Sequence, residues 1–145
     1  MPVARRTRTL SSDQAAVWAL VADPYHLPRW WPHVRRVEAV TSKEFTAVLT
    51  ATDQGRPVRA DYRIVAHEPP RLRTWEQQIE DTPFERVFKA SEVTVELAPS
   101  GAGCEVRIEM RQRLRGLSQL GAPLVRRGSG RLLERALDAL EDLLV

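Results

Sequence analysis

One run of residues restricts this chain more than any other. From Cys104 to Arg115, Cys104, Val106, Ile108, Met110, Gln112 and Leu114 alternate with Glu105, Arg107, Glu109, Arg111, Arg113 and Arg115. A period of two sends alternate side chains to opposite faces of a strand, so this strand has one face to cover and one face for water. The cover is encoded just beyond it. After Gly116 the period becomes 3.6: Leu133, Ala136, Leu137, Leu140, Leu143 and Leu144 share one helical face, and Arg131, Glu134, Arg135, Asp138, Glu141 and Asp142 lie elsewhere. Pro123 suits the first turn of such a helix, which would run about 34 Å to the end of the chain. Gly128-Ser129-Gly130 interrupts it at a cost of roughly 2 kcal/mol relative to alanines. The helix either restarts there or needs glycine where something crosses it closely.

The remaining sequence reads as strands around two short helices. Met1 to Leu10 alternates in part and predicts a strand. Ser11, Ser12 and Asp13 then offer N-cap oxygens, and Ser11-x-x-Gln14 has the form of a capping box. A short helix carrying Ala16, Val17, Leu20 and Val21 follows and stops at Asp23-Pro24. Pro24 to Pro32 holds three of the ten prolines and two of the four tryptophans, which permits only a turn or two of helix. From Val34 to Glu68 the period is two. Phe45, Ala47, Leu49 and Ala51 precede a turn at Asp53–Arg56, and Val58, Ala60, Tyr62, Ile64 and Ala66 alternate with Arg59, Asp61 and Arg63. Leu72 to Ile79 gives another strand with Arg73, Trp75, Gln77 and Ile79 on one face. The next, Phe84 to Ala98, changes parity midway: Phe84, Arg86 and Phe88 disagree with Val93, Val95 and Leu97, which requires a bulge or a break near Ala90 to Glu92. Pro99 to Gly103 closes a hairpin.

Composition excludes several classes. No stretch approaches the roughly 18 apolar residues of a spanning helix, and the first residues contain no apolar core of a signal peptide. The expectation is a soluble, cytoplasmic protein. Cys104 is the single cysteine, so an internal disulfide is excluded, and with three scattered histidines it makes no zinc framework. No glycine-rich phosphate loop, dinucleotide fingerprint or nucleophile elbow occurs, so neither cofactor nor metal is expected. At 145 residues the chain is expected to form one domain, residues 1–145.

The pattern predicts an α+β protein: a curved antiparallel sheet of six or seven strands wrapped round a long C-terminal helix, with two short helices after the first strand. Such a sheet leaves room for a ligand beside the helix. The stretch from Ser11 to Pro32 (SSDQAAVWALVADPYHLPRWWP), Val34-x-x-Val37-Glu38, Gly-Ala-Gly-Cys-Glu-Val at 101–106 and the leucine-rich terminal helix resemble the START-like, or SRPBCC, superfamily with its helix-grip fold. That superfamily includes polyketide cyclase/dehydrase-like proteins, coenzyme Q-binding proteins and plant pathogenesis-related class-ten proteins. The resemblance covers the whole chain. It implies a cavity between sheet and helix rather than a shared catalytic motif.

Candidate site residues come from polar side chains that share the parity of apolar ones, because an inner strand face keeps a polar group only where that group is paired or used. Tyr62, Gln77, Arg86 and Gln112 meet this criterion, with Arg86 able to anchor a carboxylate or phenolate and the others to orient carbonyl or hydroxyl groups. Trp30, Trp75, Phe88 and Met110 would line the same space. Each of these residues could equally be a satisfied core group or a strand end reaching solvent. Trp30 and Trp31, about 100° apart in a helical turn, are expected to divide between core and surface, or to share a cavity mouth. Cys104 reads as an inert buried thiol.

The favoured function is binding of a small hydrophobic or aromatic molecule: a lipid, a quinone or a polyketide-like compound. The alternative is a polyketide cyclase/aromatase-like enzyme that holds a polyketone folded. A third reading is an interaction protein using arginine, since only Lys43 and Lys89 among 22 cations are lysine. Arg5, Arg6, Arg8, Arg111, Arg113, Arg115, Arg126 and Arg127 could form a basic stripe, although solvated outer faces explain them as well, and no DNA partner is expected. A membrane-surface role would require a basic amphipathic helix, and the terminal helix alternates acid with base. Oligomeric state stays open.

Overall fold

The computed structural model describes residues 2–50 and 55–144. Ala51 and the first half of the Asp53–Arg56 turn lie outside them. The elements are β1 (Val3–Leu10), α1 (Gln14–Val21), α2 (Leu27–Trp30), β2 (Val34–Glu38), β3 (Glu44–Leu49), β4 (Val58–Glu68), β5 (Leu72–Gln77), β6 (Phe88–Ser100), β7 (Gly103–Leu114) and α3 (Ala122–Leu143). Three short 3-10 turns, Pro24–His26, Pro83–Arg86 and Gly116–Gly121, complete the chain. The seven strands form one antiparallel sheet in the order β1-β7-β6-β5-β4-β3-β2. Each neighbour in sequence is a neighbour in space except β1, which closes onto β7 and makes β1 and β2 the two edges.

α3 lies on the inner face of this sheet. Leu133, Ala136, Leu137 and Leu140 are fully buried and meet Val106, Ile108, Val95 and Leu97 in one core with Val17, Val21, Leu27 and Trp30. Each such leucine contributes roughly 1.5–3 kcal/mol of transfer free energy. Charge fixes the outer side of the same contact: Glu134 accepts from Arg8 at 2.9 Å and pairs with Arg6 at 3.2 Å, and Asp138 accepts from Arg8.

α3 is continuous through Gly128-Ser129-Gly130. A Cβ on Gly130 would lie 2.4 Å from Nη2 of Arg6, whose side chain crosses the helix there, whereas one on Gly128 would meet nothing within 4 Å. Close crossing, rather than a restart, explains the second glycine.

Of the three N-cap candidates Asp13 caps α1, its Oδ1 accepting from Ala16 N at 2.8 Å. Three local expectations are corrected. Ser11 is not the cap of a capping box, and Gln14 Nε2 donates instead to Pro70 O. Trp30 and Trp31 do not divide between core and surface; both are buried, with their rings at 87°. The cause is backbone: Trp31 leaves the helix at φ −90°, ψ 122°, which turns its side chain back under the sheet. Phe84, Arg86 and Phe88 do not share a strand face, because Pro83–Arg86 is a 3-10 turn capped by Thr82 and β6 begins only at Phe88. The parity change is absorbed by a register shift between Phe88 and Ala90.

Candidate functional site

The strand registers bring polar side chains into a single row across the concave face. Phe45 of β3 pairs with Tyr62 of β4, and Tyr62 with Gln77 of β5. Glu76 pairs with Glu92, which sets Gln77 beside Ser91 of β6 in the next position, and Ser91 pairs with Gln112 of β7. α3 closes the row: Ser129 Oγ donates to Gln112 Oε1 at 2.9 Å, both residues buried. Polar groups thus run across four strands, β4 to β7, under a helix whose facing side is otherwise apolar.

The neighbouring row is aromatic and aliphatic. Ile64, Trp75, Val93, Met110 and Ala4 pair in succession. Trp75 stands edge-on to Trp31, with ring centroids 5.8 Å apart, and Trp31 edge-on to Trp30 at 5.4 Å. Phe45 joins them edge-on to Trp75 and stacks on Tyr62 at 5.2 Å. Edge-to-face contacts at these separations are individually favourable and connect α2 to β3, β4 and β5 as one aromatic belt.

Two polar atoms inside this region, Trp30 Nε1 and Gln77 Nε2, are buried without a hydrogen-bond partner among the described residues. Leaving a buried donor unpaired costs about 1–3 kcal/mol, so these two atoms are interior donors with free energy to gain from an acceptor. Tyr62 is half-buried, and burial pushes its phenol up to about 12, which keeps it a neutral O–H donor at any ordinary pH. β4, β5 and α2 thus each contribute a donor to this region: the Tyr62 O–H, Gln77 Nε2 and Trp30 Nε1. Two open grooves of about 400 Å³ lie near the ends of the row, one lined by Phe45 and Tyr62 together with the opposite-parity residues Glu44, Thr46, Asp61 and Arg63, the other by Leu114, Arg113, Gln119 and Ala122.

Of the residues expected to line a site, Tyr62, Gln77 and Gln112 fall in the polar row, and Trp30, Trp75 and Met110 in the belt and the row beside it. Phe88, half-buried, pairs with Leu114 at the end of the inner face. Arg86 stands apart, exposed on its 3-10 turn. The arginine on the inner face is instead Arg73, 6% exposed, two residues before Trp75 on β5. Its Nη1 donates to His67 Nδ1 at 3.0 Å, and the imidazole packs 5.5 Å from the ring of Trp18 on α1. Burial lowers the Arg73 pKa, and the charge of Asp23 partly offsets this. Its parity with Trp75 and Gln77 was the signal in the sequence. Ser129 and Ser91 carried no such signal, since a helical serine between glycines and one at a parity change look the same whether buried or wet. Cys104 is fully enclosed beneath the sheet, and burial pushes its thiol pKa up, which leaves it without thiolate character.

A curved seven-stranded sheet gripping a C-terminal helix, with two short helices between β1 and β2, is the START-like fold. The chain belongs to the family described as "Polyketide cyclase / dehydrase and lipid transport", whose model matches residues 1–145. Among solved structures it is similar to a START superfamily protein from Mycobacterium smegmatis, with 15% identity, a TM-score of 0.80, and 98% of this chain and 96% of that one covered. It is also similar to the di-domain ARO/CYC BexL from the BE-7585A biosynthetic pathway, with 22% identity and a TM-score of 0.79, covering 98% of this chain and 46% of that one. A third is the di-domain ARO/CYC StfQ from the steffimycin biosynthetic pathway, with 13% identity and a TM-score of 0.77, covering 98% of this chain and 50% of that one. The chain thus spans about half the length of each di-domain protein. At these identities the likeness is one of fold. No curated protein matches the chain.

Proposed function

We propose that the protein binds a small, largely apolar molecule carrying carbonyl or phenolic oxygens, a quinone or polyketide-like compound, against the polar row and the aromatic belt. One observation carries this reading: the unpartnered buried donors Trp30 Nε1 and Gln77 Nε2 call for an acceptor from outside the chain. A carbonyl oxygen supplies one, and flat rings suit the belt of Trp31, Trp75 and Phe45. A simple hydrocarbon chain would satisfy the belt and leave both donors unpaired. Since both atoms are sealed from solvent, a ligand reaches them by displacing the half-buried rim, of which Tyr62 and Phe88 are part.

The test is isothermal titration and thermal shift with a naphthoquinone and with a hydrocarbon of the same size. The quinone should bind at least tenfold more tightly, and the preference should shrink in Gln77→Leu. Equal binding of the two, or none by either, would refute the reading.

Catalysis of the cyclase/aromatase kind is a second reading, favoured by the same donors. N–H and O–H groups directed at a polyketone oxygen would stabilise the enolate of an intramolecular aldol step, and Tyr62, held as a neutral phenol, could deliver a proton. Turnover of a polyketone surrogate that survives unchanged in Tyr62→Phe and Gln77→Leu would dismiss it.

A further inference from the structure

The basic stripe legible in the sequence divides in the folded protein. Arg5 and Arg111 both bond Glu109, and Arg6 and Arg8 are held by Glu134 and Asp138. Arg113, Arg115, Arg126, Arg127 and Arg131 take part in no ion pair among the described residues. The reason is local. Between Glu109 and Glu134 the chain has no carboxylate at all, while it has six arginines. The terminal helix alternates acid with base only in its second half, so the sequence-based objection to a membrane-surface role does not apply to its first turns.

The same segment exposes the most apolar surface. Leu117, Leu120 and Leu124 are 86%, 83% and 72% exposed, the highest values among the large hydrophobic side chains described. Leu117 and Leu120 lie on the 3-10 turn Gly116–Gly121 and Leu124 in the first turn of α3. Val87, 40% exposed, adjoins them, since Val87 O accepts from Arg115 N. Arg113 lines the groove of about 400 Å³ together with Gln119 and Ala122, which brings the end of β7 alongside the turn. Leu124, Arg127 and Arg131 recur at i, i+3 and i+7 and so follow one exposed side of the helix.

We infer that this corner, the 3-10 turn with the start of α3 and the end of β7, docks on an anionic lipid surface. Three leucines that leave most of their surface in water add little to the core, and a cluster of that kind marks an interaction site. Unpaired arginines around them give it a single sign of charge, complementary to acidic headgroups. Shallow insertion of apolar side chains with a cationic rim at headgroup depth is one way a protein without a spanning helix holds to a bilayer, and no helix among the described residues is long and apolar enough to cross one. The inference is independent of what occupies the polar row, although it would bring the groove beside Leu114 to the membrane.

The experiment is co-sedimentation of the full chain with vesicles of phosphatidylcholine alone and with 30% phosphatidylglycerol, at low and high salt. Binding is expected only to the anionic vesicles and should weaken at least tenfold at high salt. Leu117→Ser/Leu120→Ser/Leu124→Ser should abolish it, and Arg126→Gln/Arg127→Gln should weaken it about twenty-fivefold, at roughly fivefold per arginine. Arg35→Gln/Arg63→Gln, at the β2 end of the sheet, should leave it unchanged. Circular dichroism and melting of the leucine variant should stay close to the parent, because these side chains are mostly exposed. Failure of the parent to sediment, or equal sedimentation of both corner variants, overturns the inference. So does a concentration-dependent dimer that the leucine variant abolishes without any vesicle binding by the parent, which would assign the corner to a second copy of the chain.

Discussion

Ser129 Oγ donates to Gln112 Oε1 at 2.9 Å, a buried bond that joins the middle of α3 to β7. Ser129→Ala would strip the Gln112 carbonyl of this donor at a site closed to water. The expected loss is about 1–3 kcal/mol. Ser129→Ala/Gln112→Leu should recover most of it, because two apolar groups then face each other. A double-mutant cycle by urea denaturation measures the coupling, and simple additivity of the two single changes would refute the assignment.

Gln77→Leu and Trp30→Phe each remove a buried donor that has no partner among the described residues. Gln77→Leu should stabilise the ligand-free protein by about 1 kcal/mol, whereas Trp30→Phe also empties ring volume beside Trp31 and should cost stability; both should weaken a carbonyl ligand about tenfold. In Gln77→Leu, stability and affinity moving in opposite directions are the signature of a donor kept for binding. Loss of both together in that variant would make Gln77 structural.

The Tyr62 phenol, pushed up to about 12 by burial, gives a pH prediction. An acid whose folded pKa lies above its unfolded value of about 10 destabilises the fold as pH rises from the lower value to the higher, because only the unfolded chain has then released the proton. Tyr25 and Tyr62 are the two tyrosines, so Tyr25→Phe isolates the signal. In that variant phenolate absorbance should appear near pH 12 or together with unfolding, and melting temperature should fall progressively above pH 10. A reversible transition at pH 10 with the fold intact would contradict the burial of this ring.

Gly128 and Gly130 should respond differently to alanine. Gly128→Ala meets open space and should add up to about 1 kcal/mol through helix propensity alone. Gly130→Ala must displace the Arg6 guanidinium, which loosens the Arg6–Glu134 pair and cancels most of that gain. Since Arg6 is a flexible side chain, Arg6→Ala should restore the benefit of Gly130→Ala. Thermal denaturation of the three variants and the double mutant decides it.

How much of the site could be read in advance depended on the kind of signal. Tyr62, Gln77 and Gln112 stood out because parity is a backbone property: once the strand exists, every second side chain points inward. Arg86 was misplaced for the same reason, since parity says nothing where Thr82-Pro83 caps a turn and no strand is present. Arg73 satisfies the same parity rule, and its partner His67, which packs against Trp18 of α1, lies outside anything that parity can show. Ser129 had a sequence neighbourhood that explained nothing about its partner, 17 residues away on β7.

The chain alone specifies the strand and helix periods, the faces they bury and hence the sheet gripping a terminal helix, because these follow from alternation and 3.6-residue spacing within each segment. It also held the stretch without carboxylates between Glu109 and Glu134. Folding adds which arginines find acids, that Trp31 turns inward beside Trp30, and that Tyr62, Gln77, Ser91 and Gln112 form one row under Ser129. Those relations depend on register between strands and on the approach of α3, and both are set by packing between segments distant in sequence, which no local pattern encodes.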